Sequence, residues 1–316
     1  MRALHWDGTV ARVTDRPDPS PNADQAILRV HRAGICNTDL ELVRGYMNFR
    51  GILGHELVGV VEHGPAEWIG RRAVAEINFA CGRCPSCAAG LGRHCPRRQV
   101  MGILDADGAM AERVAVPIAN LHAVPDSVDD DAAVFVEPLA AAFEILEQVQ
   151  IEPKQSCVVL GDGKLGLLVA QVLAHAGAEV LGVGKHLDKL AILARRDIRT
   201  CLLDDWNRAP APLVVEATGS SAGLTAAIAS VRPRGTLILK STVATPSAVD
   251  LSPLVIHEIT VVGSRCGPFE PALRALAAGA IDVSSLIFER VTLRDAAHGL
   301  QLAAQTGVLK VLVDCA

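Results

Sequence analysis

The sequence predicts an α/β protein with two domains, one β-rich with a cysteine lobe and the other built on a doubly wound parallel sheet. At 316 residues, half of them hydrophobic, the chain exceeds the usual size of a single core. Short apolar runs broken by Gly, Pro and Asp fill the first part, and helical patterns alternating with β-branched runs follow from Ala140. We expect residues 1–137 with the C-terminal segment 267–316 to form the first domain, and residues 138–266 the second.

The first domain shows the pattern of an irregular all-β structure. Its apolar runs are "QAILRVHRAGI", "LVGVVEHG" and "RRAVAEINFA". In the second domain the strand-like runs are "CVVLG", "AEVLGVG", "APLVVEATG", "GTLILKS" and "EITVVGS", with helical segments between them. Repeated strand–helix–strand units imply right-handed crossovers and a parallel sheet covered on both faces.

Composition and charge exclude some classes of function. The formal net charge is -5 and the 30 Lys and Arg residues are spread along the chain, so we expect no nucleic-acid partner. The start, "MRALHWDGTVARV", lacks the features of a signal peptide, and polar residues or Pro138 break the apolar stretches before they reach membrane-spanning length. We therefore expect a cytoplasmic protein without a membrane partner.

Four of the nine cysteines lie in the stretch "CGRCPSCAAGLGRHC", at Cys81, Cys84, Cys87 and Cys95. They could form two disulfides, a redox relay or a metal cage. Disulfides are rare in a reducing cytosol, and an odd number of cysteines cannot all pair within one chain. Four thiolates match the closed tetrahedral coordination of structural zinc, so we interpret this stretch as a zinc lobe.

A glycine fingerprint follows the first strand of the second domain, in "CVVLGDGKLGLLVAQVLAHAG". A strand, a helix and a second strand surround it, which is the context of a dinucleotide site. Gly161 permits the tight turn, Gly163 lets the backbone approach the pyrophosphate and Gly166 allows close helix packing. Lys164 and Leu165 complete the predicted cofactor-binding loop.

The end of the second strand predicts which dinucleotide is bound. An acidic residue usually stands there and binds the ribose 2′-hydroxyl, but this chain has Gly184 followed by Lys185 and His186. Loss of the carboxylate makes room for a 2′-phosphate, which the two basic residues could neutralise. This pattern favours NADP(H) over NAD(H); the alternative is that both are solvated loop residues.

Several motifs in order along the chain carry a family resemblance: "GICNTDL", "GHELVGVV", the cysteine lobe, "EPLA", the glycine fingerprint, "VVEATG", "PRGTLILK" and "LKVLV". The sequence resembles the zinc-containing medium-chain dehydrogenase/reductases, which include alcohol, sorbitol, threonine and glucose dehydrogenases. The resemblance covers nearly the whole chain. It implies a GroES-like catalytic domain joined to a Rossmann domain.

The resemblance implies a catalytic zinc in the first domain. Cys36 and His55 match zinc ligands, and Glu137 stands where the family has a cysteine or a glutamate ligand. Glu56 matches a glutamate that binds the metal in some states of the family. Asp39 matches a carboxylate that orients the ligand histidine.

Other site residues follow from the same resemblance. Thr38 matches a hydroxyl that passes the substrate proton toward solvent, although a simple turn hydroxyl is an alternative role. Thr218 and Lys310 match cofactor-binding positions, Lys310 at the pyrophosphate. The zinc lobe matches the family's structural zinc, which gives two zinc ions per chain. Tyr46 and Phe49 either line the substrate cleft or pack beneath it.

The predicted function is therefore zinc-dependent hydride transfer between NADP(H), or less favoured NAD(H), and an alcohol or polyol or its aldehyde or ketone. The partners are a small-molecule substrate and further copies of the chain, in a homodimer or homotetramer. One alternative is a zinc-independent reductase of activated double bonds, a class that generally lacks these ligands. A second is a non-catalytic protein that binds zinc and a nucleotide.

Overall fold

The computed structural model describes residues 1–242 and 248–316, and the chain divides into two compact units. Unit 1 comprises Met1–Glu137, Leu276–Ala278 and Ile287–Ala316, and unit 2 comprises Pro138–Ala275 and Gly279–Leu286. Residues 267–275 and 279–286 were expected in the first domain but group with unit 2. The physical reason lies at Gln171, whose amide donates to the Asp282 carbonyl at 3.0 Å and accepts from the Asp282 amide at 2.7 Å.

The strands of unit 1 that precede unit 2 are β1 (Arg2–Trp6), β2 (Ala11–Asp15), β3 (Gln25–Gly34), β4 (Gly51–Ile52), β5 (Glu56–His63), β6 (Arg72–Ala75), β7 (Asn78–Phe79), β8 (Gln99–Met101), β9 (Asp105–Ala106), β10 (Arg113–Pro117) and β11 (Leu121–Ala123). Unit 2 contains β12 (Ser156–Leu160), β13 (Glu179–Gly184), β14 (Arg199–Leu202), β15 (Ala211–Glu216), β16 (Val231–Leu239) and β17 (Thr260–Gly263). The chain then returns to unit 1 with β18 (Ile287–Thr292) and β19 (Lys310–Asp314).

Both units contain helices. They are α1 (Asn37–Leu42), α2 (Pro85–Ala88), α3 (Asp130–Ala133), α4 (Val136–Gln148), α5 (Lys164–His175), α6 (Leu187–Ala194), α7 (Ser221–Ile228), α8 (Ser252–Ile256), α9 (Phe269–Ala277) and α10 (Ala296–Ala303). Single 3-10 turns occupy Tyr46–Asn48, Gly92–His94, Ile118–Asn120, Ser284–Leu286 and Leu293–Asp295. Within the described ranges, no helix has the length and apolar character needed to cross a membrane.

The main sheet of unit 1 has the order β11-β6-β5-β3-β19-β18, and β10 also pairs with β3. Alternate residues of β3 point into the core, including the fully buried Leu28 and Val30, as expected for a strand with one covered face. The C-terminal strand β19 pairs antiparallel with the end of β3, where Leu312 lies opposite Gly34. The last residues of the chain therefore complete the sheet that the first residues begin.

The sheet of unit 2 has six parallel strands in the order β14-β13-β12-β15-β16-β17. Counted from β12, this is the order 3-2-1-4-5-6 of a doubly wound dinucleotide-binding fold. The buried interior of β12 and β15 reads as continuous apolar sequence, because helices cover both faces of such a sheet. The strand order reverses between β12 and β15, and this is where the fold binds ligands.

Candidate functional site: a metal centre in unit 1 and a dinucleotide site in unit 2

Three potential metal ligands meet inside unit 1. One ligand atom each from Cys36, His55 and Glu56 lies within 4.8 Å of the others. His55 and Glu56 are 2% and 1% exposed, whereas the thiol of Cys36 is only partly covered. Thiolate, imidazole and carboxylate are the ligand types that zinc prefers. Glu56 Oε1 is buried and has no hydrogen-bond partner among the described residues, which fits a group that awaits a cation.

The geometry of α1 positions two of these residues. Cys36 is the N-cap of α1, and Asp39, the third residue of the helix, accepts from the Cys36 amide at 2.8 Å. The other oxygen of Asp39 accepts from the Gly54 amide at 3.2 Å and lies 3.4 Å from His55 Nδ1, outside hydrogen-bonding geometry. The fully buried carboxylate of Asp39 therefore contacts both the start of α1 and the residues just before β5. This is the position of a group that orients a metal-bound imidazole.

Negatively charged side chains lie close to the imidazole of His55. Burial alone would lower the pKa of His55, but the charges of Asp39 and Cys36 outweigh burial and raise it well above its usual value. A buried imidazole that favours its cationic form indicates an environment that stabilises positive charge. A divalent metal ion would supply that charge.

Lys310, at the start of β19, forms a buried ion pair with Glu56 Oε2. Each side chain is 1% exposed, and the ammonium lies 5.4 Å from the centroid of the Phe135 ring. Burial would lower the pKa of Lys310, but the charge of Glu56 raises it, so the side chain stays an ammonium. The predicted contact of Lys310 with the cofactor's pyrophosphate stays a prediction, and in unit 1 its ammonium pairs with Glu56.

The remaining predicted residues of unit 1 occupy different places. Glu137 lies in the first turn of α4, half-buried, and is not one of the three clustered ligands. The Thr38 hydroxyl lies 3.8 Å from Cys36 Sγ. Phe49 is buried at 7% exposure, whereas Tyr46 is 38% exposed. Phe49 therefore packs into the core, and only Tyr46 presents its ring to solvent.

The cysteine lobe brings its four thiols together. The sulfurs of Cys81, Cys84, Cys87 and Cys95 lie within 4.8 Å of one another. Cys84 Sγ is 3.5 Å from Cys87 Sγ and 3.7 Å from Cys95 Sγ. Sulfurs placed tetrahedrally at about 2.3 Å from zinc are roughly 3.8 Å apart, whereas a disulfide requires about 2.05 Å. The observed spacing matches the zinc cage.

Local backbone geometry prepares the thiols of this lobe. Cys84 is the N-cap of α2, which turns Cys87 back toward it. The backbone amide of Arg83 lowers the pKa of Cys81 to about 6, and Arg97 Nη2 donates to the Cys81 sulfur at 3.3 Å. A lowered pKa favours the thiolate of Cys81, which is the form that binds metal.

The glycine fingerprint forms a close strand-to-helix turn in unit 2. Gly161 follows β12 with φ of +120°, and a Cβ at this position would meet the Ala217 carbonyl oxygen at 2.5 Å. A Cβ on Gly166 would lie 2.0 Å from the Gly161 carbonyl oxygen. Gly163 is the N-cap of α5, with open space where its Cβ would be. This open helix start fits the pyrophosphate of a dinucleotide.

A carboxylate that the sequence analysis did not assign lies beside this turn. Asp162 Oδ2 accepts from the backbone amides of Lys185 and His186, both at 2.7 Å, and lies 2.9 Å from His186 Nδ1. Asp162 is 8% exposed. Asp162 could have been identified from the sequence, because it is an acid between the first two fingerprint glycines in a chain that has no acid at position 184.

Thr218 follows β15 on the same edge of the sheet. Glu216, the last residue of β15, is 3% exposed and accepts from the Thr218 amide and hydroxyl, both at 2.6 Å. The next amide, from Gly219, donates to the Ser241 hydroxyl at 2.8 Å. The buried Glu216 thus shapes the loop at the point where the strand order reverses. Sequence reasoning named Thr218 but not this carboxylate.

Comparison with known proteins agrees with this architecture. Residues 22–126 match the alcohol dehydrogenase GroES-like domain, and residues 165–280 match the zinc-binding dehydrogenase domain. The chain is 29% identical to the 2-dehydro-3-deoxy-L-galactonate 5-dehydrogenase of Pseudoalteromonas atlantica over 94% of this chain and 93% of that protein. It is 27% identical to the sorbitol dehydrogenase of Halalkalibacterium halodurans over 99% of both.

A solved structure is also similar over almost its full length. It comes from Sinorhizobium meliloti, is assigned as a zinc-binding dehydrogenase and contains NADP. Its TM-score is 0.89 at 25% identity, with coverage of 99% of this chain and 98% of that one.

The fold and the clustered ligands define a dinucleotide-dependent dehydrogenase of the zinc type. More particularly, the chain belongs to the zinc-containing medium-chain dehydrogenase/reductase family. The predicted fold class, with its GroES-like and Rossmann parts, is confirmed, and so is the predicted class of NAD(P)-dependent alcohol dehydrogenase.

Proposed function

We propose that the protein transfers a hydride between a nicotinamide dinucleotide and a polyhydroxylated alcohol, with the corresponding ketone or aldehyde as the other member of the pair. The observation that carries this proposal is the buried group of Cys36, His55 and Glu56, in a chain that also has a dinucleotide-binding sheet. The relatives named for sorbitol and for a sugar acid support a substrate with several hydroxyl groups.

Cys36 and His55 would hold a catalytic zinc, with Glu56 or Glu137 as a further ligand. Bound zinc supplies a Lewis acid that polarises a substrate oxygen and lowers the pKa of a bound hydroxyl. The carboxylate of Asp39, 3.4 Å from His55 Nδ1, would orient the imidazole through charge attraction. Because Lys310 neutralises Glu56 Oε2, Glu56 retains one oxygen that can face the metal.

Thr38 would move the substrate proton. Its hydroxyl is half-buried and lies 3.8 Å from Sγ of Cys36, one of the residues that would hold the metal. A hydroxyl can accept one proton while it donates another, which suits a relay between substrate and solvent.

The second zinc would be structural. Cys81, Cys84, Cys87 and Cys95 complete four-coordinate binding, and they leave no open position for a substrate. The protein would therefore bind two zinc ions per chain. The zinc in this cage would hold the lobe together, because its four ligands come from one stretch of fifteen residues.

The dinucleotide would bind in unit 2, with its pyrophosphate at Gly163 and the start of α5. Lys164, Leu165 and Thr218 lie on the same edge of the sheet and would complete the site. The preference for NADP(H) predicted from the sequence depended on Lys185 and His186, and the carboxylate of Asp162 against their backbone weighs against it.

The chain would form a homodimer or a homotetramer through β17. This strand pairs only with β16 in the described part of the sheet, and Val261 is 41% exposed. In the neighbouring α8, Val255 and Ile256 are 79% and 72% exposed. Exposed apolar residues beside an open sheet edge favour pairing with a second copy. Sedimentation of wild-type protein and of Val261→Lys tests this, with a smaller species expected for the variant.

The decisive experiment for the function combines metal analysis with activity. Wild-type protein should contain about two zinc ions per chain and oxidise sorbitol-type polyols or aldonates with NAD+ or NADP+. Cys36→Ser should lose one zinc ion and turnover, yet keep its NADH binding and thermal midpoint. Cys201→Ser, at a half-buried cysteine of β14, is the matched control and should change none of these. Full turnover by Cys36→Ser would contradict the assignment and support a zinc-independent reductase.

A further inference from the structure

The end of β13 holds a carboxylate even though Gly184 has no side chain. A Cβ built on Gly184 would lie 2.5 Å from both Cβ and Oδ2 of Asp162. Asp162 therefore fills the space where a side chain at position 184 would begin. In dinucleotide-binding folds an acid at this strand end binds the ribose 2′-hydroxyl. Here the acid comes from the glycine fingerprint, 22 residues earlier in the chain.

The contacts of Asp162 remove groups that a 2′-phosphate would need. The amides of Lys185 and His186 both donate to Asp162 Oδ2, so neither is available to a phosphate oxygen. The His186 imidazole is also held at that oxygen, with Nδ1 at 2.9 Å. Of the two basic side chains predicted to neutralise the phosphate, Lys185 is exposed, whereas His186 is partly exposed and paired with Asp162.

We propose that Asp162 is the residue that determines cofactor specificity and that it makes the protein favour NAD(H) over NADP(H). The hydrogen bonds that Lys185 and His186 make with Asp162 all use Oδ2, so within the described residues Oδ1 keeps its lone pairs for a hydroxyl donor. A 2′-phosphate would instead place a second anion beside a carboxylate whose side chain is only 11% exposed. This inference rests on the proposed function, because it assumes that unit 2 binds a nicotinamide dinucleotide.

Fluorescence titration with NADH and NADPH tests the inference without any measurement of turnover. Asp162→Asn keeps an oxygen that can accept from both amides but removes the charge. We expect the wild-type protein to bind NADH more tightly than NADPH by about tenfold or more. In the variant, the ratio of the NADPH Kd to the NADH Kd should fall about tenfold, because the 2′-phosphate no longer meets a negative charge. Asp188→Asn, at an exposed acid in the first turn of α6, is the control and should keep the wild-type ratio.

A rescue variant separates specificity from support of the loop. Asp162→Gly combined with Gly184→Asp returns the acid to the strand end and removes the clash. We expect this double variant to regain the preference for NADH that Asp162→Gly alone loses. If Asp162 only supported the loop, an acid at position 184 would not restore the ratio.

The outcomes distinguish this inference from the proposed function. Tighter binding of NADPH by the wild-type protein, an unchanged ratio in Asp162→Asn, or failed rescue by Gly184→Asp would each overturn the inference alone. Failure of the folded wild-type protein to bind either dinucleotide would overturn the proposed function and the inference with it.

Discussion

The buried pair of Glu56 and Lys310 offers a prediction whose size follows from the structure. In the metal-free protein, Lys310→Met keeps most of the side-chain volume but leaves the Glu56 charge buried and unpaired. Removing one partner of a buried ion pair costs about 3–5 kcal/mol, and we expect a loss of this size. The substitution also removes the ammonium from the face of the Phe135 ring, and the loss of this contact lowers the free energy of unfolding by about 0.5–2 kcal/mol more.

The double variant Glu56→Gln with Lys310→Met should recover most of this loss. It carries no buried charge, and replacement of a whole buried pair is often neutral or stabilising. We therefore expect it to lie within about 1–2 kcal/mol of wild type, with strong coupling between the two substitutions. Arg234→Met, which breaks a pair whose side chains are 83% and 72% exposed, is the control and should cost less than about 1 kcal/mol.

Urea unfolding followed by tryptophan fluorescence measures these differences. Trp6 and Trp68 lie in unit 1 and Trp206 in unit 2, so all variants would be made in a Trp206→Phe background to report on unit 1. Additive effects of Glu56→Gln and Lys310→Met would refute the reasoning. So would a Lys310→Met protein as stable as the Arg234→Met control.

Three further predictions concern the proton relay, the zinc lobe and a charged cluster. Thr38→Val should lower kcat about 100-fold or more with an unchanged dinucleotide Kd, measured by steady-state kinetics and titration. Cys84→Ser should lose one zinc ion per chain and lower the thermal midpoint, measured by metal analysis and calorimetry. Asp130→Asn should cost about 1–3 kcal/mol at pH 7, because it breaks hydrogen bonds from His31 and Arg72.

The Asp130 effect has a defined pH dependence. Burial would raise the pKa of Asp130, but the hydrogen bonds from His31 and Arg72 hold it below the ordinary value of 3.8. A lowered pKa contributes stability above pH 3.8, and that contribution disappears as pH falls through the folded-state pKa. The difference between wild type and Asp130→Asn should thus shrink below pH 3.8 in unfolding measurements. Asp126→Asn, at an exposed acid, is the control.

Each grouped prediction has an outcome that contradicts it. Thr38→Val with wild-type kcat would assign Thr38 to the alternative role of a turn hydroxyl. Retention of both zinc ions by Cys84→Ser would remove Cys84 from the cage. A difference between wild type and Asp130→Asn that persists unchanged at pH 3 would show that the carboxylate's charge is not what stabilises the fold.

The features predicted correctly from sequence are those that local spacing controls. The four thiols of the lobe lie within fifteen residues, so the short segments between them keep the sulfurs close in space. The glycine turn at Gly161 and the alternation of strands and helices are equally local. Family resemblance then placed Cys36 and His55 in one site, which spacing alone could not have done.

Other features depend on contacts between distant segments, and neither periodicity nor spacing reports them. Lys310 meets Glu56 across 254 residues, because β19 pairs with β3 beside β5. Asp162 enters the space above Gly184 only because β12 and β13 are neighbours in the sheet. The sequence alone suggested a missing acid at position 184.

Residue order thus indicated the family and the class of reaction and named two sets of candidate zinc ligands, since these follow from motifs whose members are close in the chain or recur in fixed order. Packing settled where the buried charges lie: Lys310 against Glu56 and Asp162 at the end of β13. A buried charge must find a partner wherever the fold supplies one, and that partner is set by three-dimensional contact rather than by distance along the chain.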